Sequence, residues 1–274
     1  SVYEKLAEGE AGMGTIITYP GAEETEPAVT VALAEPQPRA TEPTEPVVGV
    51  IGAGNFATRT ILPLLKKSGV RLKLIASEGG TNAAVAGRKF GFEQATSDAD
   101  EILQDEETNT AFILTPHNSH APLVCQALEA GKHVFCEKPL AITPEQLQDV
   151  QEAYEAASED GSAPILHVGF NRRFSPFSEK MKELMDREKA PKAFNMLVNA
   201  GQIDADHWIQ DPEVGGGRII GEACHFIDLL RFLAGCEITE VQSAELGQSG
   251  RGEMPADTVT ITLRFEDGSI GTVH

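Results

Sequence analysis

From Val47 onward, short apolar runs alternate with amphipathic stretches. Val47 to Ile51 is continuously apolar, the pattern of a strand covered on both faces of a parallel sheet. Ala57, Ile61, Leu64 and Leu65 then recur at helical spacing through Phe56 to Lys67. The alternation continues with a strand over Leu72 to Ala76, a helix over Asn82 to Phe90 and a strand over Ala111 to Leu114. A helix over Ala121 to Ala130 and a strand over His133 to Cys136 follow. Thr143-Pro144-Glu145-Gln146 predicts the start of a long helix, with Thr143 as its cap and Gln146 reaching back. Strand and helix in strict turn imply a doubly wound parallel sheet.

The two ends differ from this body. Val2 to Leu6 suggests a helix end and Thr15 to Tyr19 a strand. Gly21 to Pro46 holds six Glu, five Pro and one Arg, which predicts a semi-extended, mobile linker. Residues 1–20 are therefore expected to be a stub of an upstream domain and 21–46 an acidic linker. Residues 47–168 would form a dinucleotide-binding domain and 169–274 an incomplete second domain. Near the other end Val259, Ile261, Leu263 and Phe265 alternate with polar residues, a half-buried strand, and Asp267-Gly268 turns it into a hairpin.

Of the 274 residues, 22 are Lys or Arg and 42 are Asp or Glu, giving a formal charge of −20. That excess argues against duplex nucleic acid or an anionic membrane as partner. No apolar run reaches the roughly 18 to 20 residues of a bilayer span. Cys125, Cys136, Cys224 and Cys236 are widely spaced, which predicts free thiols in a reducing, cytoplasmic setting and no metal site.

Gly52-Ala53-Gly54-Asn55-Phe56-Ala57 follows the first buried strand and opens the first helix, the context in which G-x-G-x-x-A has physical meaning. Gly52 permits the turn, Gly54 the approach of a pyrophosphate, and Ala57 close packing of helix on strand. The second strand ends at Ser77 and Glu78. Glu78 would repel a 2′-phosphate and Ser77 would accept one, so NAD is favoured and NADP stays open. Glu137-Lys138-Pro139 closes the fifth strand at the carboxyl edge of the sheet, where a desolvated lysine can move protons and the Lys-Pro bond can be cis.

From Val47 to about Gly235 the chain resembles the glucose-fructose oxidoreductase, inositol dehydrogenase and rhizopine catabolism (Gfo/Idh/MocA) family. The resemblance rests on Val50 to Gly54, Thr115-Pro116-His117-Asn118-Ser119-His120, Gly131 to Leu140 with Glu-Lys-Pro, Gly169 to Phe174, and Gly215-Gly216-Gly217 leading to His225-Phe226-Ile227-Asp228. It implies an α/β fold: an N-terminal Rossmann domain plus a C-terminal α+β domain with an open, largely antiparallel sheet, here cut short. It also implies hydride transfer between a nicotinamide and a hydroxyl-bearing carbon of a sugar, nucleotide sugar or cyclitol. By resemblance Lys138 and His225 line the reaction centre. Thr115, Pro116, His117, His120, Glu137 and Arg172 are candidate cofactor contacts, and Arg172 or Arg173 could instead meet a substrate anion bidentately.

The family usually carries an acid four residues before this His. Here that position is Gly221, and Glu222 is the candidate replacement, sharing a helix face with His225. Asp228, one turn beyond, can orient the His225 ring. Asn171 and the lone Trp208 are candidate substrate contacts. Rival readings are an NAD-dependent glycosidase with transient oxidation, a non-catalytic NAD(H) sensor, and an inactive fragment. Self-association through the open sheet is expected by resemblance. Residues 2–17 weakly resemble the closing helix and strand of a medium-chain alcohol dehydrogenase, which suggests a fused upstream enzyme.

Overall fold

Strand β2 (Val47–Ile51) is buried along its whole length, as its apolar run requires, and lies at the centre of a seven-stranded sheet. The computed structural model describes residues 29–35, 45–159, 161, 163–204, 206–246 and 258–274. The expected helix end at Val2 to Leu6 and strand at Thr15 to Tyr19 lie outside them. The strand order is β1 (Thr30–Ala32), β4 (Gln94–Thr96), β3 (Arg71–Ala76), β2, β5 (Thr110–Ile113), β6 (His133–Cys136) and β7 (Leu166–Val168). All neighbours are parallel except β1, which runs antiparallel to β4.

Helices α1 (Leu62–Ser68), α2 (Thr81–Phe90), α3 (Asp100–Gln104), α4 (His120–Glu129) and α5 (Pro144–Ala156) connect the strands. Two buried clusters result, one around Ile51, Ile113, Val124 and Leu128, the other around Val50, Ile75, Phe90 and Phe92. Each large side chain so enclosed contributes about 1.5 to 3 kcal/mol relative to exposure. Thr143 caps α5 as expected, accepting from the Gln146 N–H at 3.2 Å. The Gln146 side chain reaches one residue further back than a capping box predicts and accepts from the Ile142 N–H at 2.9 Å.

The acidic segment 21–46 is not uniformly a linker. Thr30–Ala32 pairs with β4, the Leu33 N–H donates to the Glu93 carbonyl at 2.7 Å, and Leu33 packs against the cluster of Phe90 and Phe92. Its Cδ1 lies 2.3 Å from where a Cβ would stand on Gly87, so that glycine admits it to the helix surface. Overall composition hid this short alternation of Val29, Val31 and Leu33. The physical gain is that β1 pairs the edge of β4 and becomes the short outer strand of the sheet itself.

After β7 the chain makes a 3₁₀ turn at Asn171–Phe174 and helix α6 (Pro176–Met185). A second sheet follows in the order β8 (Ala193–Met196), β11 (Ile270–Val273), β10 (Val259–Phe265) and β9 (Ile238–Glu245). It is antiparallel except for the β8–β11 pair. Ile261, Leu263 and Phe265 face helix α7 (Cys224–Ala234) through Leu230, so the alternation read in β10 is that of a strand with one packed face. No described helix is long and apolar enough to cross a membrane.

Candidate active site

The strand order reverses between β2 and β5, and a crevice opens there at the carboxyl ends of the strands. Gly52 turns the chain at this point with φ +108°, and a Cβ on it would lie 2.5 Å from the Leu114 carbonyl oxygen. Only glycine satisfies both constraints. Gly54 is the opposite case, since nothing lies within 4 Å of where its Cβ would be. The exposed backbone of Gly54 and Asn55, with exposed Phe56 beside it, borders a cleft of about 430 Å³ completed by Thr58, Asn82 and Val85. Buried Ala57 begins a π-helical turn, Ala57–Ile61, that runs into α1.

This loop fits a dinucleotide pyrophosphate: at Gly54 it has open space beside it, and it precedes a helical N-terminus whose N–H groups favour an anion. At the end of β3 the Ser77 Oγ accepts from the Ala83 N–H at 3.0 Å, which anchors α2 and leaves the hydroxyl proton free to donate. Glu78 is exposed beside it.

At the end of β6 stands Lys138, followed by a cis peptide bond to Pro139. Its Nζ donates to the Gly221 carbonyl at 2.8 Å, joining the first sheet to the second half of the chain. Gly221 lies in a second π-helical turn, Ile219–Ala223, just before α7. A Cβ at 221 would come 3.0 Å from His117 Cε1 and 3.1 Å from Ile209 Cδ1. A side chain there would press on His117 and Ile209, so glycine suits the packing at this position.

Three histidines surround the lysine. His117 Nδ1 donates to the Gly215 carbonyl at 2.8 Å, and its ring meets the edge of Trp208 at 4.7 Å. Burial, above all, pushes His117 down to about 4, with the charges of His120 and Lys138 adding to it. His120 is pinned between the Pro139 carbonyl at 2.7 Å and the Thr115 carbonyl at 2.8 Å, so it clamps the Thr115-Pro116 loop to the Lys138-Pro139 loop. The Ser119 hydroxyl donates to Thr115 Oγ1 at 2.7 Å and stiffens the same loop. His225, on α7, is 9% exposed, and its Nδ1 is buried with no partner. Burial first, then Lys138 and Arg172, pushes it down to about 4, so the ring is neutral near pH 7.

Several expected roles are corrected. Asp228 does not orient His225; it forms a two-point ion pair with Arg173, whose Nε donates at 2.9 Å. Glu222 accepts from Arg218 Nε at 3.1 Å and lines a cleft with Asn199, Phe226 and His274. The three-residue spacing to His225 does not bring Glu222 to the lysine, because the π-helical turn alters the helical phase. Arg172 lies over the Phe226 ring at 4.5 Å, and Phe170 meets His225 edge-on at 6.4 Å. Asn171 is exposed beside Arg172. Glu137 is buried against Gly169, and that burial raises its pKa. Phe170, Phe226 and Ile209 shape the site although they were not singled out. Their proximity to the Gly-Phe-Asn-Arg-Arg-Phe and triple-glycine motifs was the available signal.

Protonation of the two depressed histidines makes stability depend on pH. An unfolded ring takes up a proton near 6.5, whereas folded His117 and His225 wait until about 4. Stability is therefore fully present above about pH 6.5 and falls as pH drops toward 4, on the order of 3 kcal/mol per ring at the limit. Thermal unfolding at pH 7, 5.5 and 4.5 checks this. The His225→Asn variant should lose less between pH 7 and 4.5 than the parent; equal losses would contradict it.

A dinucleotide-type sheet with a lysine and three histidines at its carboxyl edge, joined to a second mixed sheet, defines a two-sheet oxidoreductase architecture. Residues 47–164 match the model of the oxidoreductase family with an NAD-binding Rossmann fold, and residues 180–274 match the Gfo/Idh/MocA C-terminal domain. The chain belongs to the Gfo/Idh/MocA family. It is 30% identical to the uncharacterized oxidoreductase YrbE of Bacillus subtilis, over 83% of this chain and 66% of that protein. It is 29% identical to the myo-inositol 2-dehydrogenase of Thermotoga maritima, over 82% and 67%. The structure of levoglucosan dehydrogenase in complex with NADH and levoglucosan aligns with a TM-score of 0.70 and 28% identity, over 83% of this chain and 66% of that one. The chain thus spans about two thirds of the length of these relatives.

Proposed function

We propose that this chain binds NAD along the Gly52–Ala57 loop and interconverts a hydroxyl and a carbonyl on a sugar or cyclitol. The observation that carries the reading is the meeting of Lys138 with His117, His120 and His225 one strand away from that loop, in the reversal crevice. The NAD-binding description of the matched family model supports it, as do relatives named for inositol and levoglucosan oxidation.

When bound, the nicotinamide accepts or returns a hydride. In the oxidative direction the substrate C–H and O–H bonds break and a C=O bond forms. The hydroxyl proton goes to His225, and an oxidised nicotinamide held by the loop would take up the hydride. His225 suits this task because it is neutral near pH 7, held so by burial and by the cations beside it. Lys138, fixed by the Gly221 carbonyl, stabilises the developing alkoxide. Gly52, Gly54, Asn55, Phe56 and Ala57 hold the pyrophosphate end, Ser77 and Glu78 the ribose. Thr115, Pro116 and His117 lie on the way to the reacting carbon. Exposed Glu78 favours NAD over NADP by repelling a 2′-phosphate. We further propose a cytoplasmic protein that self-associates through its second sheet, whose strand β9 is exposed along nearly its whole length.

Titration with NADH and NADPH, followed by nicotinamide fluorescence, tests the reading. Micromolar NADH affinity at least tenfold tighter than that for NADPH is expected, with NADH formation when NAD and one of a panel of sugars and cyclitols are supplied. Binding without turnover of any of them would favour a sensor, and an aryl glycoside cleaved without net NADH would favour a glycosidase.

A further inference from the structure

The charges around Lys138 do not balance locally. Lys138, Arg172 and Arg173 converge where the Asn171–Phe174 turn meets α7, in a chain whose formal charge is −20. Asp228 is consumed by Arg173, and Glu222 by Arg218. Glu137 is buried against Gly169, with one carboxylate oxygen 3.3 Å from the Lys138 N–H. Among the described residues no carboxylate ion-pairs with Arg172 or with Lys138.

The helix that faces them offers no unpaired acid, since Asp228 and Glu222 are both taken. Position 221 has no side chain, and one placed there would press on His117 and Ile209 at 3.0 and 3.1 Å. One turn later His225 is enclosed with an unpartnered Nδ1. The site therefore presents Arg172 with no carboxylate ion pair, Lys138 balanced only by the buried Glu137, and a neutral ring, and its complement is an anion.

We propose, resting on the oxidoreductase reading above, that the substrate is a sugar or polyol bearing a carboxylate, which Arg172 receives while Lys138 and His225 face its hydroxyl-bearing carbon. Arg172 is laid over the Phe226 ring at 4.5 Å and is exposed, so the ring supports the guanidinium while solvent reaches it. A planar fork matches the two coplanar oxygens of a carboxylate. Arginine also receives phosphates in two-point fashion, so a sugar phosphate is the competing ligand.

Calorimetric titration of the 274-residue chain with NADH present, using D-glucuronate, D-glucose and D-glucose 6-phosphate as probes, tests the proposal. Glucuronate should bind at least tenfold more tightly than glucose, with the phosphate ester no better than glucose. Trp208, the only tryptophan, packs on His117, and its emission should change on glucuronate addition. In Arg172→Gln the glucuronate preference should shrink to within twofold. Equal affinities, a preference that survives Arg172→Gln, tighter binding of the phosphate ester, or no binding of any probe with NADH bound would each overturn the proposal while the cofactor reading stands. Failure of NADH to bind would overturn both.

Discussion

Lys138→Met is expected to lower kcat on the order of a thousandfold, with a smaller change in KM, because the methionine keeps the volume and removes the charge. The ammonium is anchored 2.8 Å from the Gly221 carbonyl, between the first sheet and α7. No other described cation ion-pairs or hydrogen-bonds at that carbonyl, so no neighbour replaces it. The fold should survive, since the loss is one hydrogen bond to a carbonyl, about 1 kcal/mol. A second readout separates a catalytic loss from a structural one. The lysine charge lowers both His117 and His225, so in Lys138→Met both rings should titrate higher than in the parent, as followed by proton NMR of the imidazoles. A kcat within threefold of the parent, or unmoved histidines, would refute the assignment.

Gly54→Val should abolish NADH binding, by at least a hundredfold in Kd, while leaving the melting temperature within about 2 °C of the parent. The position has no neighbour within 4 Å, so the fold has room for the side chain, and that same room is where the pyrophosphate must lie. Gly52→Val gives the contrast. Its Cβ would meet the Leu114 carbonyl at 2.5 Å, and its φ of +108° is closed to valine, so this variant should lose stability as well as cofactor. Nicotinamide fluorescence and thermal unfolding on both variants check the pair. Retained NADH affinity in Gly54→Val would mean the loop does not cradle the cofactor.

Much of this was legible in the chain. The apolar runs at Val47 to Ile51 and His133 to Cys136, the glycine loop between strand and helix, and the Glu-Lys-Pro at a strand end are local patterns. Each is dictated by burial on two faces or by turn geometry. The alternation in Val259 to Phe265 was equally local. The strand at Thr30–Ala32 was not, because its stability comes from the open edge of β4 and not from its own composition.

The sequence by itself determined the doubly wound order, the cofactor loop and the pair Lys138 and His225 as candidates, since periodicity and motif spacing act over a few residues. Only the tertiary structure decided which acids serve the site. Asp228 goes to Arg173, 55 residues away, and position 221 is crowded by His117 and Ile209, whereas Glu222 pairs locally with Arg218 one turn before it. Charges pair with whatever the fold brings within about 4 Å, and those partners stand up to 55 residues apart. Spacing along a helix names the groups able to meet, and packing between elements selects the ones that do.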